Sequence, residues 1–323
     1  MPLLISHDDV RASVTMVDAI EAMEDAFREQ AEGQVLQPQR TNIRVGGGFL
    51  RVAPAVLQGS GWMGFKAMNL SAGVGVRYVV MLYSISDGAL MAILDAQHLT
   101  TLRTGATSAV ATRRLARRDR TDVAVLGAGA EAWAQLEAMN ALGLVRAVRV
   151  HSRTPANRER FAHEASQTFD VPAIALATAR EAIEGCGIIV GAVKSSETVL
   201  YGEWLAQGVH VNSIGTARPD QREIDPITFA RSAVVVVDTR EGVFSEAGDA
   251  IEAKGIIAPE ATHELADLVA GRVAGRTSDS QITLFKSVGT AIQDVALAAC
   301  VFERARARGL GQEIADFPVV KPA

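Results

Sequence analysis

The chain of 323 residues is 48% hydrophobic and 21% charged, a balance that supports about two folded domains and excludes a disordered polymer. Its net charge of −5 gives no basic field for nucleic acid, and the one dense cationic run, Arg113-Arg114 to Arg117-Arg118-Arg120, reads as a solvated helix end at a domain boundary. Cys186 and Cys300 lie far apart and suit a reducing compartment. Residues 1–8 lack a cationic segment followed by a long apolar one, and no apolar run nears the roughly 18 residues of a membrane span, so a cytoplasmic protein without membrane contact is expected.

Thr15-Met16-Val17-Asp18 has the spacing of a capping box, and Val17, Ile20, Met23 and Phe27 follow on one helical face, predicting an opening helix that ends near Gly33. Strand-like runs broken by glycine follow at 40–45, 49–53, 62–67, 76–84 and 89–94, the last two joined through Ser86-Asp87-Gly88 as a hairpin. The first part is therefore expected to be a mainly antiparallel sheet with a helix, and a further helix over 104–116 leads out of it.

The stretch Val123-Ala124-Val125-Leu126-Gly127-Ala128-Gly129-Ala130-Glu131-Ala132 reads as a buried strand that enters a glycine turn and then a helix over 132–142. Gly127 would allow the tight turn, Gly129 would let a pyrophosphate approach the backbone, and the helix N-terminus would face the phosphates. A second strand at 147–151 follows at the right distance for a dinucleotide-binding unit. Its end carries Ser152-Arg153-Thr154, where no carboxylate repels a 2′-phosphate. Arg153 either binds that phosphate or faces adenine or water, so NAD(H) and NADP(H) both stay open. Further strands are predicted at 173–175, 187–191, 210–213 and 233–237, giving a doubly wound α/β sheet. Residues 280–286 form another extended segment, Ser287-Val288-Gly289 a turn, and a long helix then runs through Ile292, Val295, Ala299 and Phe302 to Arg308. The tail after Gly309 is expected to be a surface strap.

Three cations of the first part, Arg40, Lys66 and Arg103, each sit beside small or apolar residues, a setting in which a cation needs a partner. A substrate carboxylate would supply one, gripped bidentately by Arg and as a point charge by Lys; a surface salt bridge is the ordinary alternative. The histidines show no pairing at ligand spacing, so no metal site is expected, and no nucleophile motif is present.

The order Lys66, Ile93-Leu94-Asp95-Ala96, Leu99-Thr100, Arg103-Thr104-Gly105-Ala106, Gly127-Ala128-Gly129, Asn212-Ser213-Ile214-Gly215 and Thr283-Leu284-Phe285-Lys286-Ser287-Val288-Gly289 resembles the ornithine cyclodeaminase and mu-crystallin family across nearly the whole chain. The resemblance implies a substrate-binding and dimerisation α+β domain, 1–112 with 292–323, closed by the C-terminal helix, and a Rossmann domain over 113–291 that binds NAD(P). It also implies a homodimer. Arg40, Lys66 and Arg103 would bind the substrate carboxylate. Thr104, Gly127, Gly129, Ala130, Glu131, Ser152, Arg153, Thr154, Ala192, Val193, Lys194, Ser213, Ile214, Gly215, Lys286, Ser287, Val288 and Gly289 would surround the nucleotide.

One departure bears on the activity. Family cyclodeaminases place a catalytic Asp two residues after the glycine that matches Gly215, and this chain has Ala217 there. The run Arg218-Pro219-Asp220 with Arg222-Glu223 instead resembles the family's reductases of imines and ketimines. The expected reaction is NAD(P)H-dependent reduction of an imine of a small 2-oxo acid to the L-amino acid, run backwards as an amino-acid dehydrogenase. A protonated imine is already electrophilic, so the site must mainly hold and orient it. If the enzyme forms its own imine, Lys66 is the first candidate for a proton shuttle and Asp220 the second, although Asp220 after Pro219 also reads as a turn residue. Arg77 and Arg218 are extra cations that would suit a second carboxylate, as in iminosuccinate. The alternatives are ornithine cyclodeamination and a nucleotide-holding binding protein of crystallin type.

Overall fold

Two kinds of apolar spacing, one alternating and one of strand followed by helix, become two separate sheets. The computed structural model describes residues 1–119, 121–315, 317–319 and 321. Its contacts divide the chain into two units, Met1–Arg103 with Thr290–Ala323, and Thr104–Gly289.

The first unit opens with β1 (Leu3–Ile5), α1 (His7–Ser13) and α2 (Met16–Ala31), followed by β2 (Val35–Leu36), β3 (Thr41–Val45), β4 (Gly48–Leu57), β5 (Trp62–Ser71), β6 (Gly75–Ser84), β7 (Leu90–Asp95) and the start of α3 (Gln97–Leu115). The predicted capping box is present: Asp18 N donates to Thr15 Oγ1 at 3.3 Å and Thr15 N to Asp18 Oδ2 at 2.8 Å. Ser6 and Asp9 use the same device to start α1, a helix too short to show a periodic face in the sequence. The strands pair in the order β16-β1-β7-β6-β5-β4-β2, where β16 is Gln312–Glu313, so part of the expected strap is an edge strand on β1.

Helix α3 begins before the expected 104, which puts Arg103 on a helix, and the unit division falls inside α3 ahead of the expected 112/113 boundary. Of the cationic run, Arg117 pairs with Asp119, and Arg120 lies outside the described residues. Helix α11 (Ala291–Ala307) returns to this unit and packs on β4, β5 and α2 through a buried apolar side, with Phe302 edge-on to Trp62 at 5.7 Å between ring centroids. Arg304 on the same helix bonds to Asp18 at 2.6 Å.

The second unit continues with β8 (Asp122–Leu126), α4 (Ala130–Ala141), β9 (Ala147–His151), α5 (Pro155–Phe169), β10 (Ala173–Ala175), α6 (Ala179–Ile183), β11 (Ile188–Gly191), β12 (His210–Ser213), α7 (Pro226–Arg231), β13 (Val234–Val237), α8 (Arg240–Glu246), α9 (Gly248–Ala253), β14 (His263–Glu264), α10 (Leu265–Val269) and β15 (Thr283–Lys286). All pairings are parallel, in the order β10-β9-β8-β11-β12-β15-β13-β14. The six predicted strands are present, and the further extended segment enters the sheet as β15 between β12 and β13. Strand order reverses about β8, with β9 on one side and β11 on the other. In a doubly wound sheet the nucleotide lies at the carboxyl ends beside that reversal. No helix among the described residues is long and apolar enough to cross a membrane.

A buried polar network joins α3 to β12 and β15. His210 Nδ1 lies 3.0 Å from Thr283 Oγ1, its Nε2 lies 3.2 Å from both Thr112 Oγ1 and Asn212 Oδ1, and Asn212 Nδ2 donates to Thr112 Oγ1 at 2.9 Å. Burial pushes the His210 ring down to about 3, with Arg276 acting in the same direction. The unfolded chain protonates its histidine near about 6.5. Between the two values only the unfolded state takes the proton, so stability falls as pH falls through that window, by at most ~1.4 kcal/mol per pH unit. Urea unfolding between about pH 7 and 5 is expected to show this loss, and His210→Gln a shallower slope. Equal slopes would contradict the assignment.

Candidate functional site

Strand alternation decides which of the predicted cations meet. Lys66 on β5 sits opposite Ala53 on β4 and Val80 on β6, and both of those neighbours are buried, so Lys66 points to the covered face of its sheet. There its Nζ donates to Asp294 Oδ1 on α11 at 2.8 Å and lies 5.7 Å from the Tyr78 ring. Arg103 joins the same carboxylate, Nε to Asp294 Oδ1 at 3.1 Å, and its Nη1 donates to Gln293 Oε1 at 2.8 Å. Lys66 and Arg103 are each 7% exposed and Asp294 is 2% exposed. Burial pushes the Lys66 ammonium down to about 8; Asp294 opposes that shift, while Arg103 and the half-buried Arg40 add to it. Arg40 is therefore within electrostatic reach of Lys66.

The remaining predicted charges are placed differently. Arg77 is exposed and stands opposite Asn69, whereas Lys66 belongs to the alternate row; Arg77 thus projects from the other face of the sheet. In the second unit Arg218 and Asp220 form a surface ion pair at 2.6 Å, with side chains 61% and 63% exposed.

Around Gly127 the second unit has the shape a dinucleotide needs. Gly127 adopts φ +117°, and a Cβ there would lie 2.7 Å from the carbonyl oxygen of Ala192, so glycine lets the β8 turn press against the loop after β11. Gly129 is the N-cap of α4, offers no capping side chain, and has open space where a Cβ would stand. The first-turn amides of Ala130, Glu131 and Ala132 are thus presented at a helix N-terminus as an anion cradle. The residues fit a pyrophosphate. Beside this turn Gln135 Nε2 donates to the carbonyl of Thr104 at 3.1 Å. At the end of β9, Ser152 donates to the carbonyl of Thr154 at 3.2 Å, and Arg153 is exposed.

Other predicted cofactor residues turn out to be held from within. The carboxylate of Glu223 accepts from Val193 N at 2.7 Å, Gly215 N at 3.2 Å and Ser213 Oγ at 2.7 Å. Lys286 is fully buried; its Nζ donates to Ser213 Oγ, Thr216 Oγ1 and Asp249 Oδ2 at 3.0, 2.6 and 2.9 Å. Asp238 accepts from Ser287 Oγ, Val288 N and Gly289 N at 2.7, 3.1 and 2.7 Å and so shapes the turn after β15. The side chains of Ser213, Lys286 and Ser287 serve these internal bonds. Ala192, Lys194 and Ile214 lie in the loops that the bonds anchor.

Sequence reasoning missed Asp294, Gln293, Asp238 and Asp249, and read Glu223 only as part of a run. A signal existed for the first two: Gln293-Asp294 is the polar interruption of the otherwise apolar stretch 291–301. Removing Asp294 leaves two buried cations without their shared carboxylate, and breaking such an arrangement costs about 3–5 kcal/mol. Asp294→Ala is therefore expected to lower the denaturant midpoint sharply, whereas a loss under about 1 kcal/mol would mean the cations relax to solvent.

Comparison with known proteins agrees with this architecture. The family model for the ornithine cyclodeaminase/mu-crystallin family matches residues 2–309. A Delta(1)-pyrroline-2-carboxylate reductase of Bacillus cereus is 32% identical, with 97% of this chain and 99% of that protein covered. Among solved structures, Thermococcus litoralis Delta(1)-pyrroline-2-carboxylate reductase in complex with NADH and L-proline superposes with a TM-score of 0.92 at 36% identity, covering 97% of this chain and 100% of that one. An archaeal alanine dehydrogenase dimer with bound NAD gives 0.91 at 31% identity, covering 98% and 99%. The chain belongs to the ornithine cyclodeaminase/mu-crystallin family.

Proposed function

We propose that this protein reduces the C=N bond of an imine of a small 2-oxo acid, yielding the L-amino acid, with the substrate carboxylate held by Lys66, Arg103 and Arg40. The chain is an NAD(P)-dependent oxidoreductase of C=N and CH–NH2 groups, as its reductase relatives are. The observation that carries the substrate reading is the buried pairing of Lys66 and Arg103 on Asp294, with Arg40 within electrostatic reach of Lys66. When bound, the dinucleotide supplies the hydride. The chain's own residues then have to bind the acid, orient its imine carbon and keep water away. A protonated imine already carries its proton on nitrogen, and that nitrogen keeps the electron pair of the C=N bond. Where the imine must first form from a 2-oxo acid and ammonia, Lys66 is the residue proposed to hand over and recover protons. Ala217, at the position where a cyclodeaminase carries Asp, favours reduction over ring closure with loss of ammonia.

The substrate side chain is proposed to be apolar or cyclic, as in pyrroline-2-carboxylate. Arg77 projects from the opposite sheet face to Lys66, and Arg218 is spent on Asp220, so neither supports a second substrate carboxylate. With no acidic side chain in Ser152-Arg153-Thr154, both NADH and NADPH are proposed to be accepted. A homodimer is proposed through the sheet face that bears Arg77. Pro54, Phe65, Met81 and Ile93 line up there across four strands and are only half-buried, while Leu50 and Val79 are 40% and 39% exposed. An apolar sheet face of this kind needs a cover, and a second copy of the same face supplies a self-complementary one.

A panel of cyclic imino acids, pyruvate with ammonia, oxaloacetate with ammonia, and ornithine, followed by NAD(P)H absorbance and product analysis, is expected to show imine reduction. Proline from ornithine without net cofactor consumption would contradict it. Lys66→Met and Arg103→Leu are each expected to cut turnover by about 100-fold or more while dinucleotide affinity changes little. Because Lys66 carries its charge only below about 8, kcat/KM is expected to fall as pH rises through that value. Light scattering is expected to give a dimer for the unaltered chain and a monomer for Met81→Asp. A monomeric unaltered chain would refute the interface.

A further inference from the structure

Glu223 is fully buried, yet it belongs to no helix or strand and follows the surface run that contains Arg218 and Asp220. Its carboxylate is the meeting point of two segments that end neighbouring parallel strands, the loop after β11 at Val193, and the last residue of β12, Ser213, with Gly215 in the loop that follows. Two glycines make room for it. A Cβ on Gly191 would lie 2.6 Å from Glu223 Cδ, and a Cβ on Gly215 would overlap Glu223 Oε1. The carboxylate is itself supported from behind: Glu223 N donates to Asp249 Oδ2 at 3.2 Å, and Ser213 Oγ, which donates to Glu223, accepts from Lys286 Nζ at 3.0 Å. A buried carboxylate is costly unless its oxygens are satisfied, and here the satisfying donors are the backbone amides and the hydroxyl of those two segments.

We propose that Glu223 is the positioning residue for the dinucleotide: its carboxylate fixes the segments 192–194 and 213–215 in the relative arrangement that the cofactor binds. The inference rests on the functional reading above only in placing the dinucleotide at those segments. It assigns Glu223 no contact with substrate or cofactor and no proton transfer.

The test uses the full-length protein and titrates NADH and NADPH by fluorescence, alongside amide hydrogen exchange without nucleotide. Glu223→Gln keeps size and one acceptor oxygen but faces Gly215 N–H with an amide group, so dinucleotide affinity is expected to fall about tenfold or more, the scale of a lost hydrogen bond to a buried charge. Exchange is expected to accelerate at Val193 and Gly215 while the amides of β8 stay protected; a merely structural role would loosen β8 as well. Burial raises the Glu223 carboxyl, against Lys286 and with Asp249 reinforcing, so affinity of the unaltered protein is also expected to weaken on acidification more than that of Glu223→Gln. Should Glu223→Gln not fold, Ser213→Ala removes one donor and leaves the carboxylate in place, and it is expected to weaken binding to a smaller degree. Unchanged affinity together with unchanged exchange at Val193 and Gly215 would overturn the inference alone. Absence of dinucleotide binding by the unaltered protein would overturn the functional reading, and this inference with it.

Discussion

A carboxylate shared by a lysine and an arginine away from water is the interaction on which the proposed chemistry depends. Ions are expensive to bury, and a buried pair holds only when attraction and hydrogen bonds offset the lost hydration. Asp294 meets that condition by accepting from Lys66 and Arg103 together, while Gln293 occupies another arginine donor. Arg40 is near enough to depress Lys66 further. The same burial that makes the group costly would strengthen its hold on the proposed substrate carboxylate, because the field is poorly screened there.

The second unit applies the same physical rule to a different end. Glu223, Asp238 and Asp249 are buried, and each is satisfied by backbone amides or hydroxyls of loops at the carboxyl ends of parallel strands. Buried carboxylates here bind backbone, which gives loops the rigidity of a core while leaving other main-chain atoms at the sheet edge for a ligand. The glycine turn after β8 contributes shape in place of charge: positive φ at Gly127 for close approach, and an uncapped helix start at Gly129 for an anion. One unit therefore concentrates buried side-chain charge, and the other presents backbone donors at a helix start.

Local patterns made much of this legible in the sequence. The strands of the second unit are short runs of valine, isoleucine and leucine buried on both faces, and the β8 turn announces itself by its glycines. Lys66 and Arg103 stood out because each is a lone cation among apolar neighbours. What was not legible depends on contacts distant in sequence. Asp294 lies 228 residues from the lysine it serves, and in the first turn of a helix an aspartate already has a local explanation. Arg77 read as an extra cation for a second carboxylate, and only strand register puts it on the face opposite Lys66. Lys286 was expected to lie around the nucleotide, and its fully buried ammonium bonds to Ser213, Thr216 and Asp249, contacts that only the fold brings together.

The central claim concerns where the acid is held, and a crystal structure of the protein with NADH and L-proline tests it most directly. The account predicts proline carboxylate oxygens within hydrogen-bond distance of Lys66 Nζ and the Arg103 guanidinium, with Asp294 still bonded to both cations. Proline bound with its carboxylate on other residues, while Lys66 and Arg103 stay engaged only with Asp294 and Gln293, would contradict it.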